Sequence, residues 1–393
     1  QATASMNLNG FVSSQLTLLE LDGVVCRRRQ AVVCSAARKK GKNKAAGSSA
    51  AKSTKFSVKG FGRPRPSKSA PQADEASQTQ QVEILRTRES DDFYRWMRAG
   101  GASIDRVALA NFGTGGMRGL MALESISKGE CVLSVPRSMS LVLSETGSSP
   151  SFAALSLLRG VDAAEENNLV PLVAMLPGMD DASTVTDFFS EGELKALEWE
   201  PVVAETRQRI RSLESTLANS GYQADLDRLK WASFNVVSRA FTLRTKLGDT
   251  SRCLVPFIDM INHLPGSPHS LAVREGRCEV VAGADIAAGE EICFTYGGGS
   301  LNNERCVQDY GFVQRNCAND LGIFIGQGRT LDSADVQETK AKILQQVDER
   351  LGAFSTSQAE DDALLESTAL TGNMRTATLF RREMKRALSE IQA

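Results

Sequence analysis

Val255-Pro256-Phe257-Ile258-Asp259-Met260-Ile261-Asn262-His263 places a carboxylate, an amide and an imidazole within five residues, amid apolar neighbours. Buried polar groups need partners, so Asp259 and Asn262 in such a run ask for something to pair with. A histidine in this setting is more often a satisfied core residue than a catalyst. Asp259 and His263 could suggest a hydrolase dyad, yet no Gly-x-Ser-x-Gly nucleophile elbow is present. A metal reading also fails. The only other histidine is His269, and the eight cysteines (Cys26, Cys34, Cys131, Cys253, Cys278, Cys293, Cys306 and Cys317) form no CxxC pair.

Outward from this run, two phrases read alike. Lys128-Gly129-Glu130 turns into Cys131-Val132-Leu133-Ser134-Val135-Pro136, and Ala288-Gly289-Glu290 turns into Glu291-Ile292-Cys293-Phe294-Thr295-Tyr296. In each, glycine permits the turn and apolar residues make the following strand. Tyr310-Gly311-Phe312-Val313 follows the second phrase. The chain has only four tyrosines, and Tyr296 and Tyr310 both precede glycine. A buried phenol usually points its hydroxyl at a partner.

Between the β regions, roughly 150–245, the pattern is helical. Ile210, Leu213 and Leu217 fall at i, i+3 and i+7 before Gly221 breaks the stripe. Beyond Gly311, Ile343, Val347, Leu351 and Phe354 make one helical stripe, and Phe380, Met384, Leu388 and Ile391 another. Order is expected from about Val82. The layout is β, inserted helices, β, then a helical tail: an α+β chain.

Upstream, Gly115-Gly116-Met117-Arg118-Gly119-Leu120 fails as a dinucleotide fingerprint, because Gly-x-Gly-x-x-Gly is unmatched and a strand follows. Its glycines instead let backbone groups approach a ligand closely, or simply make a turn.

Taken in order, these segments resemble the SET-domain protein methyltransferases, and within them the plant and algal Rubisco large-subunit methyltransferase branch. The matching phrases are Gly116 to Pro136, Ser238-Arg239-Ala240-Phe241, Pro256 to His263, and Gly289 to Val313. The resemblance implies a SET β-fold with a pseudoknot over 81–325, a helical insertion at about 145–235, and a short C-terminal helical substrate-binding domain over 326–393. It implies S-adenosyl-L-methionine as cofactor, contacted by Gly116, Met117, Arg118, Gly119, Arg239, Asn262 and His263. It makes Tyr296 the catalytic phenol, with Arg239, Phe241, Asp259, Tyr296 and Tyr310 lining the substrate channel. No metal is implied. The expected partner is a protein substrate such as the Rubisco large subunit or fructose-bisphosphate aldolase, methylated on lysine by a monomeric enzyme. Histidine methylation on the same scaffold, or a non-catalytic binding module, are the alternatives. Leu264 follows His263 where many family members carry serine.

Composition limits the other classes. The 393 residues carry 46 basic and 47 acidic side chains, so no global charge argues for nucleic acid or membrane as partner. No run of about 18 apolar residues exists to span a bilayer. Residues 1–70 differ, with Arg27-Arg28-Arg29 and Arg38-Lys39-Lys40 against only Glu20 and Asp22 as acids. A basic, Ser/Ala-rich, acid-poor leader fits a plastid transit peptide, processed near Cys34-Ser35-Ala36 and followed by a loose linker to about residue 80. The expected location is therefore the chloroplast stroma.

Overall fold

A computed structural model describes residues 82–113, 116–145, 148–244, 250–326, 329, 332–367 and 369–393, with backbone alone at 17, 18, 334, 335 and 338. The expected leader and linker otherwise lie outside the described residues. Chain order begins with strand β1 (Val82–Ile84), helix α1 (Arg88–Ala99), and strands β2 (Val107–Phe112), β3 (Met117–Ala122), β4 (Cys131–Pro136) and β5 (Leu141–Glu145). Helix α1 starts at a reciprocal cap between Thr87 and Ser90 and buries Phe93 and Met97.

Helices then take over. The longest between the β regions are α2 (Pro150–Asp162), α3 (Glu200–Ser220) and α4 (Leu226–Arg239). Gly221 ends α3 in a left-handed conformation, as its sequence position suggests. Strands resume as β6 (Phe241–Arg244), β7 (Thr250–Leu254), β8 (Asn262–His263), β9 (Ser270–Arg274), β10 (Arg277–Val281) and β11 (Glu291–Phe294). Helices α5 (Ala334–Gly352), α6 (Gln358–Glu366) and α7 (Gly372–Gln392) complete the chain.

Three small sheets result. Their orders are β1-β2-β3-β11-β8, β9-β10-β4, and β6-β7-β5, the last also flanked by the Thr17–Leu18 strand on β6. The first sheet positions the site. Its strands β3 and β11 are antiparallel, whereas β11 and β8 are parallel, pairing Cys293 with Asn262 and Phe294 with His263. Side-chain bonds hold the same segments together: Ser267 Oγ donates to Cys293 O at 2.6 Å, and Thr295 Oγ1 to Leu264 O at 3.1 Å.

The sheets and α1 share one apolar core that includes Phe93, Phe257, Ile258 and Ile261. A second core joins Leu213 of α3 to α2 and α4. The third mixes Trp199, Val202 and Val203 from the insertion with Phe380, Met384 and Leu388 of α7. The C-terminal helices therefore bury their apolar stripe on the inserted helices.

Candidate active site

Asn262 and His263 leave the apolar run as a two-residue strand at a sheet edge, and both are partly buried. Asn262 Nδ2 donates to Arg118 O at 2.9 Å and to Glu291 Oε1 at 2.8 Å. Burial raises the Glu291 carboxyl above its ordinary range, against the pull of the Asn262 bond. Gly119, on the neighbouring strand, has no room for a side chain. A Cβ there would overlap Glu291 Oε1 and Asn262 Nδ2. Its glycine thus serves the packing of these two side chains, whereas Gly116, at φ +62°, faces open space.

His263 Nδ1 accepts from the Tyr296 backbone N–H at 3.0 Å. That bond places the proton of a neutral ring on Nε2. Burial lowers the imidazole below its usual value, so the ring stays neutral around pH 7. Tyr296 follows β11, and its hydroxyl donates to Ile261 O at 2.6 Å. Burial pushes this phenol well above the ordinary tyrosine range, so it remains protonated. Gly297 and Gly298 continue in left-handed conformations, φ +58° and +63°, and turn the chain away after the phenol.

The aromatic rings form a continuous wall. Centroids of His263 and Tyr296 are 5.1 Å apart, as are those of Tyr296 and Tyr310. Phe312 closes the group, 6.0 Å from Tyr310 and 6.4 Å from His263. Beside this wall lies a narrow cleft, partly open to solvent, lined by Arg239, Phe241, Asp259, Ile261, Tyr296 and Tyr310 among others.

Charge is concentrated at the cleft. Arg239 Nη1 donates to the Asp259 carbonyl at 2.9 Å and lies 3.7 Å from its Oδ2. Both Asp259 carboxylate oxygens and Arg239 Nε are buried with no hydrogen-bond partner. Burial raises the Asp259 carboxyl, opposed by Arg239 and Arg118. Burial, with Arg239 nearby, also pulls the Arg118 guanidinium down to about 10. Such polar groups are rare in proteins, and water or a ligand usually completes their bonding.

The fold thus brings Arg118 and Gly119 of β3 near Asn262 and His263 of β8, the two strands that flank β11. It lines one cleft with Arg239, Phe241, Asp259, Tyr296 and Tyr310. Met117 is 66% exposed at the start of β3, with its side chain turned to solvent. Sequence reading missed Glu291, whose only signal is a glutamate opening an apolar strand, and Phe312, which follows the second tyrosine-glycine pair. Among the described residues no group of three or more His, Cys, Asp or Glu could hold a metal ion.

Comparison with known proteins decides the domain. The SET domain family model matches residues 117–297. This chain carries a SET domain. Its arrangement of strands, insertion and C-terminal helices resembles the SET domain of LSMT bound to methyllysine and AdoHcy, at TM-score 0.60 and 19% identity, covering 78% of this chain and 90% of that one. Rubisco LSMT bound to AdoMet superposes with TM-score 0.59 at 18% identity, over 78% of this chain and 91% of that one. Among curated relatives, the actin-histidine N-methyltransferase of Dasypus novemcinctus is 25% identical over 268 residues, 58% of this chain and 43% of that protein. The Xenopus tropicalis protein of the same name is 24% identical over 271 residues, 61% of this chain and 46% of its own. The chain thus spans less than half the length of these curated relatives. The SET match includes every candidate residue except Gly116, just before its start, and Tyr310, beyond its end.

Proposed function

We propose that this chain is an S-adenosyl-L-methionine-dependent protein N-methyltransferase acting on a lysine side chain. The observation that carries the reading is the Asp259 carboxylate, paired with Arg239 but without a hydrogen bond, and the unbonded Arg239 Nε, in a cleft walled by the Tyr296 and Tyr310 rings. The cofactor's amino-acid end carries an ammonium and a carboxylate, and this donor and acceptor set suits both. Gly116 leaves open space at the head of β3, and Asn262 is held still by two bonds. Arg118, Arg239, Asn262 and His263 would hold the cofactor. When bound, it supplies an electrophilic methyl group on a sulfonium.

The chain's own residues then align and desolvate. The Tyr296 proton is committed to Ile261 O, which leaves the phenolic oxygen free to accept from groups in the cleft. Tyr310 and Phe241 confine a long aliphatic side chain to one line of approach. An apolar enclosure disfavours an ammonium, so a lysine enters the reactive state as the amine.

The curated relatives are named for histidine methylation of actin, which favours a second reading in which an imidazole nitrogen is the acceptor. Incubation with labelled cofactor and, in parallel, a chloroplast stromal extract or purified actin, then mass spectrometry of labelled peptides, separates the two. Label on a lysine Nε, in the Rubisco large subunit, fructose-bisphosphate aldolase or another stromal protein, supports the proposal. Label on histidine replaces lysine, and no label with saturating cofactor rejects both.

A further inference from the structure

Tyr310 does not sit on a sheet. It ends a π-helical turn, Cys306–Tyr310, that Gly311 closes at φ +77°. Such turns are uncommon and need outside support. Here the support comes from the long inserted helix. Trp199, Val202, Glu205 and Arg209 recur on one face of α3 and its N-terminal cap. Each engages the segment before Tyr310. Trp199 Nε1 donates to Glu304 Oε1 at 2.7 Å, Arg305 Nη1 to Glu205 Oε1 at 2.6 Å, and Gln308 Nε2 to Val202 O at 3.3 Å.

Arg209 is the deepest of these contacts. It is 6% exposed, and its Nη1 donates to Asp309 Oδ1 at 2.8 Å and Nη2 to Gln308 O at 2.9 Å. Its Nε donates to Asp187 Oδ1 at 2.8 Å, anchoring the guanidinium within the insertion. On the far side of the turn, a Cβ at Gly311 would overlap Thr184 Oγ1, so the insertion touches the turn there as well. Two of the four Arg209 bonds therefore fall on the two residues preceding Tyr310.

We propose that Arg209 is a positioning residue: from the inserted helix it clamps Gln308 and Asp309, and so sets the Tyr310 ring against Tyr296 at the cleft. This rests on reading the cleft as the methyl-acceptor channel. It makes the insertion part of the site's wall rather than a passive ornament of the SET domain. A long fork with three fixed donors suits this task, whereas lysine offers a single point charge.

Arg209→Ala would strand two buried carboxylates and endanger folding, so the milder Asp309→Asn and Arg209→Lys are the working variants. The first measurement is fluorine NMR of protein carrying 3-fluorotyrosine. The chain's four tyrosines are Tyr94, Tyr222, Tyr296 and Tyr310, so four signals are expected; Tyr→Phe variants assign them. In both working variants the Tyr310 and Tyr296 signals should move or broaden while Tyr94 and Tyr222 stay in place. The second is single-turnover methylation at saturating cofactor. Each variant should lose roughly ten- to a hundredfold in rate, a magnitude that misplacement by about an ångström produces, with cofactor affinity kept within twofold. In a Tyr310→Ala background the further loss should fall below about twofold, because the ring through which the effect acts is gone. Unmoved Tyr310 and Tyr296 signals, or full additivity with Tyr310→Ala, overturn the clamp. A wild-type protein that methylates nothing defeats the methyltransferase reading instead, and the fluorine spectra still decide the clamp.

Discussion

The turns Ser127–Glu130 and Ala287–Glu290 share the same backbone bonds, yet only one leads into the candidate site. In the first, Gly129 N–H donates to Ala282 O at 2.7 Å and Ala282 N–H returns to Glu130 O at 3.0 Å. In the second, Gly289 N–H donates to Ala122 O at 2.8 Å and Ala122 N–H returns to Glu290 O at 2.9 Å. Each glutamate side chain accepts from the turn's first N–H at 2.9 Å, from Ser127 in one and Ala287 in the other. The two phrases also meet, since Ile126 and Ile286 exchange backbone bonds of 2.9 and 2.8 Å. They part in the strand that follows. Strand β4 pairs with β10 and ends at Pro136, whereas β11 lies between β3 and β8 and runs on to Tyr296. Local sequence makes the turn, and the neighbouring strands make the site.

The sharpest way to break this comparison is at the sixth position after each turn's glutamate, where Pro136 stands in one phrase and Tyr296 in the other. Tyr296→Phe keeps the ring's packing and removes the hydroxyl that bonds Ile261 O and presents its oxygen to the cleft. Loss of one preorganised polar contact costs about 10²–10³ in turnover. Single-turnover methylation should fall by that much while calorimetry finds cofactor affinity unchanged. A wild-type rate would make Tyr296 a core aromatic only.

The first strand position gives a smaller effect. Glu291 accepts from Asn262, whereas its counterpart Cys131 is exposed. Glu291→Ala leaves the Asn262 amide tethered only to Arg118 O. The loss should be about 1–2 kcal/mol, roughly five- to thirtyfold in affinity for S-adenosylmethionine. Cys131→Ala should bind as wild type does. Equal affinities for the two variants would show that the Glu291–Asn262 bond does not shape the cofactor site.

How far the site could be read in advance follows the same division. Asp259 and Asn262 stood out because polar side chains in an apolar run demand partners, and Tyr296 and Tyr310 because both precede glycines in a chain with few tyrosines. A shared site with His263, Arg239 and Phe241 was expected only from the family resemblance. The α+β order of the elements was legible from their periodicities. The partners were not. Nothing local says that Glu291 reaches Asn262 across the parallel β11–β8 pair, or that Gly119 is glycine for the sake of those two side chains. Likewise Arg209 lies on a helix whose stripe reads as ordinary surface and core, and its bond to Asp309 spans 100 positions. The apolar faces of α7 and the insertion were visible separately. Their shared core around Trp199 and Phe380 is a tertiary fact with no local signature.

The finest test of the comparison lies in the glycines themselves. Gly129 and Gly289 have φ of +90° and +86°, and an added Cβ would meet nothing within 4 Å at either. Alanine at each therefore costs only the strain of a left-handed backbone, about 1–2 kcal/mol. Because the hydrogen bonds around the two turns match, the losses should agree within about 0.5 kcal/mol when measured by denaturant unfolding of Gly129→Ala and Gly289→Ala. Function should separate them. Gly289 precedes the strand that carries Glu291 and leads on to Tyr296, so a shift there displaces site residues, whereas Gly129 precedes a strand that contributes none. Methyl transfer by Gly289→Ala should drop severalfold, and Gly129→Ala should keep the wild-type rate once the folded fraction is counted. Unequal unfolding energies would show that matching bonds conceal unequal strain. Equal energies with equal activities would show that the second turn holds its strand without placing the phenol.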